Sequence, residues 1–379
     1  MSSPSWQRSA SPLVPRGLGV PEGGSAGAGS RIVITGLGPV GPLGVGREAL
    51  AASLAKGLDP VELGPLRVED YATSAKTYLD PNSLLTLAAT SLALRDAGIR
   101  DGDRDGPDSG TVPISVPNSA DSRRGEKEVG TVPFDAIGMS YGTRFGNVAT
   151  VEAYLKMFRE QGAKLASPLL FIHAYPNTSL SLAAIEFKLM GTSFNFDSGR
   201  ACGVQALVQA FDELRAGKMS VMLAGAGDTY TETTRRCAVG KARNAAAALV
   251  LEREGDALAR GAHALAEVAG CGLSRSADQA LSRALAQASL GRPQIDWLLV
   301  DAPDDNIGAS TGIHATDLLR AVGDSGAATA LTGVALAALA IREMGTVPFL
   351  GLVEPPLAAA VVSADEIGAA AVVLRRISN

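Results

Sequence analysis

Cysteine, histidine and aromatic residues are scarce in this chain of 379 residues, which has three Cys, three His and 4% aromatics. Cys202, Cys237 and Cys271 are too few and too scattered to build a disulfide framework or a metal site, so a reducing cytosol is the expected compartment. No uninterrupted apolar stretch approaches the roughly 18 residues that a membrane-spanning helix needs. A dense Lys/Arg run is also missing, and the net charge of −5 argues against a nucleic-acid partner.

Apolar side chains are plentiful at 46%, and the length allows a large core, organised as two domains or one duplicated unit. Residues 1–30 are rich in Ser, Pro and Gly and have neither a signal-peptide core nor helical periodicity, which predicts a disordered tail. Within it, LVPRG at 13–17 resembles a protease-cleavage linker, and a native tail and an added linker both stay open.

From Arg31 the pattern is a short β-branched strand, a Gly/Pro turn and a helix over 46–56. Gly36, Gly38 and Gly41 satisfy GxGxxG formally, yet Pro39 and Pro42 lie where a phosphate-binding helix would start. No acidic residue closes a second strand about twenty residues on, so a dinucleotide site is rejected and no cofactor is expected. Leucines at near-helical spacing predict a helix over 81–100; the polar, Gly- and Asp-rich stretch 101–132 then reads as a mobile surface insertion. Further on, the pattern predicts strands over 135–141, 245–251, 297–300 and 358–375, with helices over 148–161, 178–189 and 327–342. Strand and helix alternate twice over, which implies a layered α/β protein with halves at 31–240 and 241–379.

The rest of the chain is organised around residues 191–227, GTSFNFDSGRACGVQALVQAFDELRAGKMSVMLAGAG, which read as strand, sharp polar turn, helix and strand. Such an elbow is where many α/β enzymes hold a nucleophile, because free N–H groups and the helix dipole stabilise a thiolate or an oxyanion there.

Five segments in order, RIVITGLGPVGPLGVG, IGMSYGTRFGN, SPLLFIHAYPN, AAIEFKLMGTSFNFDSGRACGVQAL and VMLAGAGDT, resemble landmarks of the β-ketoacyl synthase family. The resemblance covers most of 31–376 and implies a duplicated thiolase-like fold with five layers, α/β/α/β/α, and a dimer. Counting from Gly191 and back from Gly203, the family's catalytic cysteine falls on Arg200, a permanent cation that offers only donors and cannot attack a thioester. Cys202, two residues on, reads as a small buried residue. The family's two histidine segments become 301–305, with Pro303 at the histidine position, and a contracted 323–328, while the strand glutamate is replaced near Asn244 and the C-terminal glycine gate becomes 363–370. His263 and His314 read as solvent-facing.

With nucleophile, histidines, lysine, glutamate and gate all replaced, the resemblance narrows to the chain length factor. That is the inactive ketosynthase-like subunit that pairs with an active ketosynthase and works on carrier-protein-bound chains in type II polyketide synthases. Those subunits usually carry glutamine at the cysteine position, so Arg200 is a departure, compatible with a divergent branch such as polyene-forming systems. By the family's geometry, Leu170, Phe171, His173 and Tyr175 border the partner's acyl tunnel across the interface, and Phe145 falls on an acyl-pocket position. Core packing is the competing reading for these aromatics. A buried Arg200 beside a helix N-terminus needs an acceptor, expected in Asp197 or in a group across the interface, and would plug the vacated acyl pocket. The rival reading is an acyltransferase or thioester hydrolase that uses Cys202.

Overall fold

The computed structural model describes residues 30–74, 76–99, 111–113, 131–133, 136–302, 307, 313, 315–343 and 355–377. The tail at 1–29, most of the expected insertion, Pro303 and His314 lie outside the described residues. In chain order the strands are β1 (Ile32–Gly41), β2 (Gly44–Val45), β3 (Thr111–Pro113), β4 (Thr131–Pro133), β5 (Ile137–Gly142), β6 (Ser193–Phe196), β7 (Val221–Asp228), β8 (Ala245–Arg253), β9 (Ala266–Ser274), β10 (Trp297–Asp301), β11 (Ala315–Asp317), β12 (Ala358–Ala364) and β13 (Ala369–Arg375). The helices are α1 (Arg47–Lys56), α2 (Pro81–Asp96), α3 (Val148–Gln161), α4 (Pro168–His173), α5 (Thr178–Glu186), α6 (Cys202–Arg215), α7 (Glu254–Ala259), α8 (Ala277–Ala288), α9 (Leu318–Ala321) and α10 (Ala328–Glu343). No helix among the described residues is long and apolar enough to cross a membrane.

Duplication is visible in the strand order. Five strands pair as β1-β8-β7-β5-β6 and five more as β9-β13-β12-β10-β11, so each set runs first, fifth, fourth, second, third in its own chain order. Directions repeat as well: the first two pairings in each set are antiparallel and the last two parallel. An antiparallel contact between β1 and β9 joins the sets into one large sheet. By this order β8 belongs with the first four strands, and a division at 240/241 would separate it from its pairing partners.

Helices complete five layers. On one side α2 and α5 pack against the first strand set, burying Leu85, Ala89, Leu180 and Ala183. Between the sets lie α1, α6 and α10; Val204, Leu207, Leu331 and Leu339 meet side chains from both sheets there. Helix α8 covers the far side through Ala280, Leu281 and Ala284. Strands β7, β8 and β12 are buried along nearly their whole length, which is why they read as continuous apolar runs instead of alternating ones.

The first strand is longer than its short β-branched start predicts. It continues through Gly36, Pro39 and Gly41, paired with β8, with a register shift between Ile34 and Gly36. Glycine is required here for packing: a Cβ on Gly38 would lie 1.9 Å from the Ala89 carbonyl of α2. Strand β9 joins the two sets through its pairing with β1, and helix α8, which follows it, packs on the second set.

One carboxylate organises the edge of the first half. Asp80 caps α2 through the Asn82 N–H (2.8 Å) and also accepts from the N–H (3.0 Å) and hydroxyl (2.7 Å) of Thr150 in α3. Burial raises its pKa against the opposing pull of these donors.

Candidate functional site

The elbow forms as predicted. After β6 the chain turns through residues 197–201 and enters α6 at Cys202, with Ala201 as N-cap. Gly199 has φ +144°, and a Cβ there would sit 2.3 Å from Asp365 Oδ2. Only glycine lets that carboxylate close in. Asp365 Oδ2 then accepts the Arg200 N–H at 2.6 Å, while Oδ1 accepts from Ile367 (2.8 Å) and Gly368 (3.2 Å), tying the elbow to the β12–β13 turn.

Arg200 is 2% exposed and its guanidinium is fully engaged. Nη1 and Nη2 donate to the two oxygens of Asp324 at 2.9 and 2.7 Å, a bidentate pair, and Nη1 also donates to Asp301 Oδ1 at 3.2 Å. Asp301 closes β10 and accepts from Ser363 at 2.9 Å; Asp324 precedes α10 and accepts from the N–H groups of Val239 (2.7 Å) and Gly326 (2.9 Å). The expected acceptor Asp197 is exposed instead. A side chain at an elbow entering α6 points into the centre between the halves, so its carboxylates come from the second half of the same chain.

Two acids face Arg200, with Arg144 Nη1 a more distant second cation 3.8 Å from Asp324 Oδ2, and their ionisation differs accordingly. Burial alone would lower the pKa of Arg200, but hydrogen bonds to Asp324 and the charges of Asp301 and Asp324 raise it above its ordinary value. Burial also opposes the charge on Asp324; the bidentate bond to Arg200 outweighs it and holds that carboxyl below the usual range. Asp301 has only the single longer contact, and burial pushes it up to about 7, offset in part by Arg200 and Ser363.

A third acid backs this group. Asp228, at the end of β7, accepts from Thr143 Oγ1 (2.7 Å) and from the N–H groups of Arg144 (2.9 Å), Phe145 (2.9 Å) and Ala327 (2.8 Å), and burial pushes it up to about 6. These bonds fix the turn after β5, so that Phe145 meets Tyr230 edge-on at 5.2 Å with the Arg144 guanidinium 4.9 Å above its ring. Arg144, beside Phe145, has its Nη1 3.8 Å from Asp324 Oδ2, the carboxylate that Arg200 pairs with. Above them opens a cleft of about 480 Å³ whose lining includes Arg144, Arg200, Cys237, Arg275 and Asp365.

Residues 67–272, more than half of the chain, match the family model "Beta-ketoacyl synthase, N-terminal domain". The chain belongs to the β-ketoacyl synthase family. It is 25% identical to Nodulation protein E of Rhizobium meliloti (strain 1021) over 343 residues, covering 78% of each chain. Its thiolase-like fold is shared with the ishigamide ketosynthase/chain length factor, at 18% identity and TM-score 0.70 over 92% of this chain and 100% of that one. A type II polyketide synthase acyl-carrier protein in complex with its ketosynthase bound to the hexaketide gives 17% identity, TM-score 0.70 and coverage of 92% and 99%.

Measured against the ketosynthase elbow, Cys202 lies beneath the turn and not in the cleft. It is fully buried, its Sγ accepts from the Ser198 N–H at 3.0 Å, and burial raises the thiol pKa above its ordinary value despite that bond. A thiol so placed is a poor nucleophile. Of the histidines, His263 is exposed, and His173 lies edge-on to Tyr78 at 5.4 Å, with a buried Nδ1 that has no hydrogen-bond partner.

The remaining predicted residues form a separate group. Phe171 stacks between Tyr154 (5.7 Å) and Tyr175 (5.5 Å), Leu170 is half-buried on the same short helix α4, and none of them lines the cleft over Arg200. Around them Leu165, Leu169, Phe171, Ile172 and Tyr175 leave a continuous stretch of sequence exposed and apolar. Sequence reasoning missed Asp228 and the pairing roles of Asp301 and Asp324. A signal was present, since VMLAGAGD and WLLVD each end a buried apolar strand on an acid.

Proposed function

We propose that this ketosynthase-family chain is a non-catalytic chain length factor, which pairs with an active ketosynthase and shapes its acyl tunnel in type II polyketide biosynthesis. The observation that carries the reading is Arg200: at the elbow position where a nucleophile would stand, a guanidinium is locked by Asp324 and Asp301. Condensation needs a thiolate to hold the acyl chain and donors to stabilise the developing oxyanion. Here the centre holds a neutralised cation, and the nearby thiol is buried and protonated.

The partner's place is supported by two features. Strand β6 is the last strand of its set, paired on one side with β5, and unpaired edges invite a further strand. Beside it in sequence, Leu165, Leu169, Phe171, Ile172 and Tyr175, with Ile185 and Met190, are large apolar side chains left exposed for a partner to cover. The tunnel wall would then include Leu170, Phe171, His173 and Tyr175, with Phe145 closer to the plugged centre. Carrier-protein-bound chains would reach it through the complex.

The test is co-expression with candidate active ketosynthases. A one-to-one complex is expected, with the isolated chain poorly soluble or self-associating, and bulk changes at Leu170 or Phe145 are expected to alter product length. Unchanged product length in every variant would reject tunnel control. The rival reading, acyl transfer or hydrolysis through Cys202, requires that an acyl thioester label the isolated protein and that Cys202→Ser abolish labelling.

A further inference from the structure

A second cavity, of about 170 Å³, shares no lining residue with the cleft over Arg200. Two buried side chains on its wall hold polar atoms without hydrogen-bond partners: Thr229 Oγ1 and Arg243 Nε, on residues 4% and 8% exposed. Buried polar atoms are rarely left unmatched, and a site that keeps two on one cavity wall is built for a polar ligand.

Charge and shape specify that ligand. Arg243 is always protonated, and its neutralisation is incomplete: Nη2 donates to the Pro60 carbonyl at 3.2 Å, and the nearest carboxylate, Glu62, stands 3.9 Å from Nη1 on a side chain 85% exposed. Arg235 adds a second cation to the lining. The rest of the wall is mostly hydrocarbon, including Leu63, Leu66, Leu84 and Leu85, with Glu62 and Asn244 as its other polar side chains. A cavity of about 150 Å³ accommodates benzene, so this one has room for about six carbons and a small head group.

We propose that this cavity binds a short-chain monocarboxylate, with the carboxylate at Arg243 and Thr229 and the alkyl chain against the leucines. The proposal is independent of the non-catalytic reading above. The cavity wall is tied to the centre, since the Arg243 N–H donates to the Asp324 carbonyl at 2.8 Å and the Tyr230 N–H donates to Asn244 Oδ1 at 2.9 Å.

Ligand-observed NMR titration of the full chain with hexanoate, 1-hexanol and inorganic phosphate tests it. Hexanoate is expected to bind saturably with a dissociation constant on the order of millimolar or tighter. Hexanol, lacking the charge, and phosphate, lacking the chain, are each expected to bind at least about tenfold more weakly. Arg243→Met should weaken hexanoate by a similar factor, and Leu84→Trp, which fills the cavity without touching charge, should abolish binding. Absence of saturable hexanoate binding, equal binding of hexanol or phosphate, or wild-type affinity in Leu84→Trp would each overturn the proposal. The hexanol comparison and Leu84→Trp decide it even if Arg243→Met does not fold.

Discussion

Replacing Arg200 with methionine keeps most of the side-chain volume and removes the charge, leaving Asp301 and Asp324 buried with no cation between them. Breaking a buried ion pair by deleting one partner typically costs about 3–5 kcal/mol. Here the cost depends on pH. In the parent, Asp324 is held ionised by its bidentate bond, while Asp301 titrates at about 7. Without the guanidinium both acids favour the neutral form, and each proton they need is harder to obtain at higher pH. The sign follows: a carboxyl whose folded pKa is raised above its unfolded value contributes stability below the unfolded pKa and loses it as pH rises through the folded one. Arg200→Met should therefore unfold at lower urea concentration at pH 8 than at pH 5.5, with the gap to the parent widening by about 1.4 kcal/mol per pH unit for each proton that the variant's fold holds and the parent's has released. Adding Asp324→Leu should recover much of the loss, since a buried triad can be replaced by apolar residues at little cost. Urea midpoints at the two pH values supply the measurement. A loss under about 1 kcal/mol that does not change with pH would refute the account of Arg200 as the counter-charge at the centre.

Other predictions follow from the same geometry. Asp301→Asn should flatten the fall of stability between about pH 4 and 7 while leaving the fold intact, because the group whose pKa burial raises to about 7 is gone; urea titration across that range checks it. In native protein a thiol reagent should modify exposed Cys237 rapidly and leave buried Cys202 unmodified until denaturant is added, which mass spectrometry resolves. Asp80→Ala removes a helix cap and two bonds to Thr150 together, and should cost about 2–4 kcal/mol in urea melts while leaving the Arg200 cluster unaffected.

Apolar runs, helix periodicity and the glycine-ended strands of 191–227 determined by themselves the alternating α/β plan. Helix α3 falls on 148–161 in both readings, and α6 starts at the elbow as its polar turn implies. These features are local: burial on one or both faces writes itself into residue order. The identity of Arg200 at the elbow was equally legible. Its partners were not. Asp197, three residues away, was the natural acceptor by proximity, yet the guanidinium turns inward to Asp301 and Asp324, more than a hundred residues on. Only the stacking of two strand sets around α6 and α10 places Asp301, at the end of β10, and Asp324, before α10, beside the elbow. The passage of β1 through Pro39 was likewise decided by tertiary packing, because it depends on what the neighbouring layer presents and not on the residues before and after it.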